Sequence, residues 1–428
     1  MLSRSVVALG LAVLATACTG STPSSDPTAP PVPPKGVEPS LGVEGLVRTT
    51  SGDQTGNRVT VGTLDLDVEP WRIDVGAEPR WIVGGPIGDD IAVYVVVAAD
   101  RTVTAITLEP SGPSTADLGL ADPNTPPVVV FGDGEYEVLE APGSASPVTA
   151  PAIVGSSIIS VTVEGEVSVS GGDGVERIAV NGLGDSRLAV DERGLVAVLS
   201  EPTAEYGHGV LGDRVESATV TVFDPASAEV IGVANAPDGT VFETVSPMWA
   251  DVDGDGDSEL LLTASDDLGG GRLVLYDERG DRLAASASIG RGQRWRNQLG
   301  VVSIDGVPTV IDVQTPHIGG IVQWFRLQGD VLEQITSIRE YSSHRIGRRN
   351  LDQGVIVDGD GDGSPDVVVP SQRQQSLAAL ELSDGVATEV RSVSLSARLS
   401  TNLSVFTKGD GRASLALGLE DGSVLIWP

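Results

Sequence analysis

Three absences narrow what this chain can be. The sequence contains a single cysteine, so no intramolecular disulfide can form, and stability has to come from packing, closure of the fold and bound metal. Beyond the N-terminus, no apolar segment approaches the roughly 20 residues that a membrane-spanning helix needs. Helical periodicity is also hard to find. The chain is therefore expected to be rich in β-strands and to have no membrane span.

Sequence motifs of common enzyme classes are missing as well. There is no G-x-S-x-G, no H-E-x-x-H, no P-loop and no set of His or Cys residues at metal-binding spacing. Acidic residues are so numerous that chance pairs abound, and none can be named as a glycosidase couple. The sequence therefore assigns no catalytic residue.

The charge of the chain is strongly one-sided. There are 27 basic and 60 acidic side chains, which gives a net charge of -33. Nucleic acid and anionic lipid are therefore poor partners for the surface as a whole. The 53 glycines and 27 prolines, together with abundant Val, Ser and Thr, favour strands joined by tight turns.

The N-terminus has the pattern of an export signal. Arg4 supplies a short positive region, residues 6–14 form an apolar stretch too short to span a bilayer, and Ala15-Thr16-Ala17 provides a small-residue cleavage site. Residues 1–17 thus resemble a bacterial lipoprotein signal peptide, with Cys18 as the lipidated first residue of the mature chain. Because Ala15 stands where such signals usually carry Leu, ordinary signal cleavage is the alternative.

A spacer is expected to follow this signal. Residues 18–40 consist largely of Ser, Thr, Pro, Asp and Gly, a composition typical of a disordered linker. The protein is therefore expected to be extracytoplasmic and to be anchored to the bacterial cell membrane by its lipid alone, at the cell surface or in the periplasm.

The most informative feature of the chain is a nine-residue acidic pattern that occurs twice. Asp251-Val-Asp-Gly-Asp-Gly-Asp-Ser-Glu259 returns as Asp358-Gly-Asp-Gly-Asp-Gly-Ser-Pro-Asp366, with carboxylates at positions 1, 3, 5 and 9 of both copies. Hard oxygen ligands at alternate positions suit Ca²⁺, which takes six to eight of them. An EF-hand would carry Glu at position 12, where this chain has Leu262 and Val369. The pattern predicts a calcium loop between strands; the alternative is a pair of Asp-Gly turns without metal.

The pattern D-x-D-G-D-G-x-x-[DE] before an apolar strand resembles the FG-GAP, or VCBS-type, repeat of integrin-α-like β-propellers. This resemblance implies two structural Ca²⁺ sites. The first would use Asp251, Asp253, Asp255, the carbonyl of Asp257 and Glu259, and the second Asp358, Asp360, Asp362, the carbonyl of Ser364 and Asp366.

Shortened versions of the loop recur between apolar runs. Together with the two full loops at 251 and 358, they mark seven positions, near residues 89, 132, 191, 251, 305, 358 and 410. This spacing predicts one all-β domain over residues 41–428, a seven-bladed β-propeller with four-stranded antiparallel blades. Eight blades are the alternative, because residues 120–185 are irregular and could contain two short units. A segment within about 58–75 is expected to complete the last blade and close the ring, which removes exposed strand edges.

Connections in a four-stranded meander alternate between two faces of the ring. The calcium loops join first and second strands, and they define what we call the lower face. Counting strands in the same way places the loops 290–297, 314–320, 340–350 and 200–216 on the opposite, upper face.

Basic and aromatic residues are concentrated in these upper-face loops. The candidate ligand-binding residues are Arg294, Trp295, Arg296, His317, His344, Arg345, Arg348 and Arg349, and the third histidine, His208, lies in the loop 200–216. Bidentate arginine contacts suit carboxylate, phosphate or sulfate groups. The alternative is that these arginines pair with acidic neighbours and only solvate the face.

The sequence as a whole favours a calcium-binding, lipid-anchored β-propeller that acts as a binding, adhesion or scaffold module for a protein or an anionic glycan. The alternative is a hydrolase or lyase acting on an anionic polysaccharide or a phosphorylated ligand. In that case His317 or His344 would act as the acid or base and the arginines as a charge clamp. Convergence of the three histidines in one cleft would favour the enzyme.

Overall fold

A computed structural model describes residues 45–132, 134–171 and 174–428. The predicted signal peptide, the linker and Cys18 lie outside these ranges. Within them, every regular element is a β-strand, so the prediction of an all-β chain is confirmed. The same ranges contain no helix with the length and apolar character needed to cross a bilayer.

The first half of the chain contains three short leading strands and four sheets, numbered I to IV. The leading strands are β1 (Leu46–Arg48), β2 (Val59–Thr63) and β3 (Trp71–Asp74). Sheet I contains β4 (Pro79–Pro86), β5 (Ala92–Ala98), β6 (Thr102–Glu109) and β7 (Gly112–Leu120); sheet II contains β8 (Val129–Gly132) and β9 (Glu135–Val138) together with β1; sheet III contains β10 (Ala152–Val154), β11 (Ser157–Val161), β12 (Glu166–Gly171) and β13 (Gly174–Asn181); sheet IV contains β14 (Ala189–Val190), β15 (Val196–Thr203), β16 (Glu216–Asp224) and β17 (Glu229–Asn235).

The second half continues with sheets V to VIII. Sheet V follows the short strand β18 (Val241–Phe242) and contains β19 (Met248–Ala250), β20 (Glu259–Ser265), β21 (Arg272–Tyr276) and β22 (Arg282–Ser286); sheet VI contains β23 (Arg296–Ile304), β24 (Val307–Gln314), β25 (Ile321–Gln328) and β26 (Val331–Arg339); sheet VII contains β27 (Val355–Asp358), β28 (Asp366–Pro370), β29 (Ser376–Ser383) and β30 (Val386–Ser394); sheet VIII contains β31 (Ser404–Thr407), β32 (Ala413–Gly418) and β33 (Ser423–Trp427) together with β3. β18 pairs with β16 and β20, and β22 pairs with β26, so backbone hydrogen bonds also connect sheets IV, V and VI.

Neighbouring sheets pack face to face around a closed ring. The middle strands are buried on both sides and therefore read as continuous apolar runs, as in β5, whereas outer strands such as β7 expose most of their residues. One buried apolar cluster lies between each pair of neighbouring sheets. Two members of each cluster, one from each sheet, illustrate this in order from sheets I and II to sheets VIII and I: Val95 and Phe131, Val130 and Ile153, Ile159 and Val196, Leu199 and Leu260, Leu275 and Val310, Val322 and Val367, Val368 and Leu415, and Ile426 and Ile82.

The N-terminal part of the chain closes this ring. β3 pairs antiparallel with β33, in a register that places Trp71 opposite Ile426 and Asp74 opposite Ser423. This strand becomes the outer edge of sheet VIII, as the sequence predicted. The last sheet is thus completed by a strand from the start of the chain, which holds the two ends of the ring together.

In the described residues, seven sheets have four strands and sheet II has three. The four-stranded sheets number seven, as in the seven-bladed prediction, but the ring has eight sheets in all, the number given by the eight-bladed alternative. Sheet II lies within 120–185, the irregular region that left room for an eighth unit. It is short because β8 and β9 have four residues each and only the three-residue β1 adds to them.

The segment 46–63 runs through the centre of the ring and bonds to the innermost strands, and we call it the central segment. Gln54 uses its side-chain amide like a backbone strand partner, accepting from Ile153 N at 2.7 Å and donating to Ile153 O at 2.8 Å. Asn57 does the same with Val301, at 2.9 and 3.1 Å. β2 then pairs in parallel with β27 of sheet VII. The channel of the propeller is therefore filled by its own chain.

Candidate sites on the two faces of the ring

The strand order places the candidate loops on opposite faces, as the sequence predicted. Loops 251–258 and 359–365 each join the first and second strands of a sheet, in sheets V and VII. Loops 287–295 and 340–354 join the last strand of one sheet to the first strand of the next, and loop 315–320 joins second and third strands. These three loops therefore share the upper face.

The two acidic loops of the lower face have the same internal geometry. In the first, Asp251 Oδ1 accepts from Gly254 N at 2.6 Å, and Oδ2 accepts from Gly256 N at 3.2 Å. In the second, Asp358 accepts from Gly361 N and Gly363 N at 2.7 and 3.2 Å. Both glycine positions have positive φ in both loops, between 84° and 99°, a region that β-carbons disfavour. The two loops therefore share their backbone conformation as well as their residue types.

The remaining loop acids also accept backbone hydrogen bonds in matching register. Asp253 accepts from Asp255 N at 3.1 Å and Asp360 from Asp362 N at 3.2 Å; Asp255 accepts from Asp257 N at 2.9 Å and Asp362 from Ser364 N at 2.7 Å; Glu259 accepts from Val252 N at 2.8 Å and Asp366 from Gly359 N at 2.9 Å. These bonds fix the positions of the carboxylate groups within each loop.

Carboxylate oxygens gather closely enough in each loop to share one cation. Oxygens of Asp251, Asp253 and Asp255 lie within 4.8 Å of one another, and so do those of Asp358, Asp360 and Asp366. Glu259 and Asp362 complete the predicted sets in sequence but stand outside these two close groups. Asp257 and Ser364 occupy corresponding positions in the two loops.

The acid at position 9 is buried in both loops without a compensating positive charge. Burial, reinforced by the nearby loop carboxylates, raises the pKa of both Glu259 and Asp366 to about 7. Oδ1 of Asp366 is buried and has no hydrogen-bond partner among the described residues. A bound cation would supply the missing partner and relieve the repulsion, so the residues present fit Ca²⁺.

On the upper face, Trp295 is the centre of an aromatic cluster. Its ring is 2% exposed, and its indole N–H donates to the backbone oxygen of Glu243 at 2.8 Å. The His317 ring stacks on it at a centroid distance of 5.9 Å, and the His344 ring meets it edge-on at 5.2 Å. Trp295 is therefore a buried support beneath the loops and does not offer a free face to a ligand.

The hydrogen bonds of the two histidines fix their tautomers. His344 Nε2 contacts the backbone oxygen of Arg348, which can only accept, so this nitrogen carries the proton. His344 Nδ1 must then accept, and the Nε2–H of His317 donates to it at 2.6 Å. Burial lowers the pKa of His317 to about 4 and that of His344 to about 3. Both rings are neutral at pH 7.

The third histidine belongs to the same region of the upper face. His208 Nδ1 lies 2.5 Å from Oε1 of Glu243, whose side chain is buried. The backbone oxygen of the same residue accepts the hydrogen bond from the indole of Trp295. His208 also adds to the lowering of the His317 pKa, after the larger effect of burial. The histidines thus gather around Trp295, but His344 is 1% exposed and has both nitrogens engaged. It cannot exchange a proton with a ligand in this arrangement.

Three candidate arginines of loop 340–354 are ion-paired. Arg345 contacts Glu420, Arg348 lies 3.1 Å from Glu78, and Arg349 binds Asp185 at 2.7 Å and Asp213 at 2.8 Å. This is the alternative that the sequence left open for the upper face. A ligand anion would have to compete with these carboxylates.

Arg296 does not belong to the upper-face surface, contrary to expectation. It is the first residue of β23, it is 2% exposed, and its Nη1 lies 3.1 Å from Asp312 Oδ2. Its guanidinium lies 5.4 Å from the ring centroid of Phe325. Strand alternation turns this side chain into the sheet interface, where it is a buried structural ion pair.

Arg294 differs from the other candidates. Its side chain is exposed, as is that of Arg291 in the same loop. In the described part of the chain, neither guanidinium has an ion-pair partner. They are the basic groups of this region that a ligand could meet without displacing an acid.

The sequence did not reveal a buried ion network at the upper mouth of the channel. Asp352 is 1% exposed, and its carboxylate binds Arg187 at 2.7 Å, accepts from Thr50 at 2.8 Å and lies 3.9 Å from Arg58. These residues come from the central segment and from loops of different sheets. These residues are distant in sequence and meet only in the folded ring, so no local sequence pattern could have predicted the network.

Comparisons with known proteins support the fold. No protein-family model matches the chain, and no curated protein matches it. Among solved structures, the quinohemoprotein alcohol dehydrogenase from Comamonas testosteroni is similar with a TM-score of 0.51 and 10% identity, over 89% of this chain and 80% of that one. BamB from Moraxella catarrhalis (TM-score 0.46, 13% identity, 84% of this chain, 97% of that chain) and the C-terminal WD40 domain of Sif2 (0.42, 10%, 84%, 98%) are also similar. At these identities the likeness concerns the fold alone, and the chain is a β-propeller.

Proposed function

We propose that this chain is an FG-GAP or VCBS-type β-propeller that serves as a calcium-stabilised binding or scaffold module. The observation that carries the proposal is the shared geometry of the loops at 251–259 and 358–366. Their matching hydrogen bonds and clustered carboxylates repeat the pattern on which the family resemblance rests. Calcium has a structural role here, because each loop joins the first strand of a sheet to the second and would be fixed by the bound ion.

The first Ca²⁺ would be held by Asp251, Asp253, Asp255, Asp257 and Glu259, and the second by Asp358, Asp360, Asp362, Ser364 and Asp366. Titration calorimetry with CaCl₂ on the chelator-treated protein tests this. Two binding events are expected, of which Asp251→Asn removes one and Asp358→Asn the other. Asp305→Asn is the matched control, because Asp305 lies in a short loop of the same face without the acid set. Absence of Ca²⁺ binding to the unmodified protein contradicts the assignment.

The ligand of the module is expected on the upper face and to be a protein or an anionic glycan. Support comes from the exposed, unpaired guanidinium groups of Arg291 and Arg294 in a chain whose net charge is -33. An array of glycans and anionic ligands, probed with the protein in the presence and in the absence of Ca²⁺, tests this role. Binding that Arg294→Ala weakens supports it, and binding unaffected by substitutions on this face contradicts it.

Placement outside the cytoplasm, with a lipid on Cys18, is part of the same proposal. It rests on the signal-like pattern of residues 1–17. Metabolic labelling of the full chain with a radioactive fatty acid should label the protein, and Cys18→Ser should abolish the label. Normal secretion of an unlabelled protein would instead indicate ordinary signal cleavage.

A further inference from the structure

The upper face of sheets V to VII carries an unusual group of exposed aliphatic side chains. Leu268 is 73% exposed, Ile318 83% and Ile346 68%, and in the described residues no other Leu or Ile exceeds 51%. They lie in loops 266–271, 315–320 and 340–354, all of which open on the upper face. Burial of such side chains is favourable, so three of them on neighbouring loops of one face indicate a surface that is covered in use.

Direct hydrogen bonds tie these loops into one platform. Gly271 N donates to Arg294 O at 2.7 Å, and Thr315 N donates to Trp295 O at 2.8 Å, so loop 287–295 connects the loops of Leu268 and Ile318. Ser342 Oγ donates to Pro316 O at 2.9 Å, which connects the loop of Ile318 to that of Ile346. The bonded histidine pair, His317 and His344, crosses the same boundary. The aliphatic groups are thus carried on a connected support that requires little ordering on binding.

The charge around the aliphatic groups is complementary to an acidic partner. Arg291 and Arg294 are exposed and unpaired between the loops of Leu268 and Ile318, and Arg345 precedes Ile346. Asp267 beside Leu268 and Glu340 at the start of loop 340–354 are exposed acids, and Arg345 is already paired with Glu420. The two guanidinium groups without an ion pair lie together in loop 287–295, so the basic character is local to the part of the surface between Leu268 and Ile318. Electrostatic steering would favour a partner with carboxylates.

We propose that Leu268, Ile318, Ile346, Arg291 and Arg294 form a docking surface for an acidic segment of a partner protein, in which aliphatic side chains are flanked by Asp or Glu. The inference rests on the proposed binding role and specifies its site and the chemistry of its ligand. Apolar side chains of the segment cover the three aliphatic groups, and its carboxylates make bidentate contacts with the two arginines.

A displayed library of short random peptides, selected on the full chain with Ca²⁺ present, tests the proposal. The recovered peptides are expected to combine Leu, Ile or Val with Asp or Glu. Their affinity, measured by fluorescence anisotropy, should fall about tenfold or more for Ile318→Ser and for Arg294→Glu, since each change removes one central contact. Leu120→Ser is the matched control: Leu120 is 51% exposed at the end of an outer strand of sheet I, and its replacement should leave the affinity unchanged. Unchanged melting temperatures establish that the variants are folded.

Each other outcome overturns the proposal in a recognisable way. Selection of basic peptides contradicts the charge argument, and peptides that bind Ile318→Ser normally place the site elsewhere. Binding of heparin fragments that depends on Arg291 and Arg294 but not on the aliphatic residues, without peptide binding, makes the surface a glycan site and leaves the proposed function standing. Self-association lost in Ile318→Ser makes a second copy the occupant. Binding of neither peptide nor glycan removes the proposed function as well.

Discussion

Nη1 of Arg187 lies 2.7 Å from Oδ2 of Asp352, and this contact joins the loop before sheet IV to the loop before sheet VII across the mouth of the channel. The central segment takes part through Thr50 and Arg58. Burial alone would raise the pKa of Asp352, but the charges of Arg187 and Arg58 lower it below its ordinary value. The carboxylate therefore stays ionised inside the ring and holds the central segment to two distant loops.

Replacement of Asp352 by Asn should strongly destabilise the protein, because it leaves two arginines buried without their counter-charge. The expected loss in the free energy of unfolding is about 3–5 kcal/mol. Glu420→Gln is the control, since it breaks the partly exposed pair with Arg345 and should lose less than about 1 kcal/mol. Urea unfolding monitored by tryptophan fluorescence measures both. Equal, small losses would show that the network does not hold the central segment.

The histidine pair should make stability depend on pH. In the folded state the pKa of His317 is lowered to about 4 and that of His344 to about 3, from an ordinary value of 6.5. Between pH 6.5 and these lower pKa values, the histidines bind protons in the unfolded chain but not in the folded chain. Their contribution to the free energy of unfolding is therefore fully present above pH 6.5 and is lost as the pH falls. Each group contributes a slope of up to about 1.4 kcal/mol per pH unit.

His317→Asn should flatten this dependence. Carboxyl groups with raised pKa, such as Glu216 at about 9 and Asp312 at about 6, act in the opposite sense, since their contribution is lost as the pH rises. The informative quantity is therefore the difference between the unfolding free energies of the native protein and the variant. It should shrink as the pH falls from neutral towards 5. A constant difference across this range contradicts the lowered pKa of His317.

The side-chain amide of Asn57 should be needed for stability. It both donates to and accepts from the backbone of Val301, so Asn57→Ala leaves a donor and an acceptor of the innermost strand of sheet VI unpaired. The expected loss is about 2 kcal/mol or more. Asn124→Ala, at an exposed asparagine, should stay within about 0.5 kcal/mol. Chemical denaturation of the two variants provides the comparison.

Removal of calcium should lower the melting temperature. A ligand that binds only the folded state stabilises it by mass action, so EDTA should shift thermal unfolding downward and added Ca²⁺ should restore it. The double variant Asp251→Asn with Asp358→Asn should lose this response, while Asp305→Asn should keep it. Identical melting curves with and without EDTA in the unmodified protein would rule out calcium as a stabiliser.

The sequence predicted those features that are local or periodic. The two full Asp-Gly loops fix their own conformation through positive φ at Gly254 and Gly361, so the same local sequence gives the same turn in sheets V and VII. The strand count between loops then assigned Trp295 and His317 to the upper face correctly. Ring closure by β3 followed from the shortage of strands in sheet VIII.

The remaining features depend on contacts between distant parts of the chain. Gln54 and Asn57 replace strand partners with side-chain amides, which leaves no apolar alternation to mark the central segment. Arg296 looked like its neighbour Arg294, but its position as the first residue of a strand directs it inward to Asp312. Likewise, the acids that pair with Arg348 and Arg349 come from residues 78, 185 and 213, far away in sequence. Tertiary packing alone determines these partners.

The pairing of Leu46 with Phe131 also determines how the ring is oriented with respect to anything attached at its N-terminus. Leu46 pairs with Phe131 near the end of β8, which runs towards the same side of the ring as the acidic loops at 251–258 and 359–365. The described chain therefore enters the channel from the side of the acidic loops. A tether attached ahead of Leu46 would pull from that side, turn the acidic loops towards the support, and leave Ile318, Ile346 and Arg294 facing away from it. In that arrangement the lower face would serve attachment and the upper face would be available to a partner.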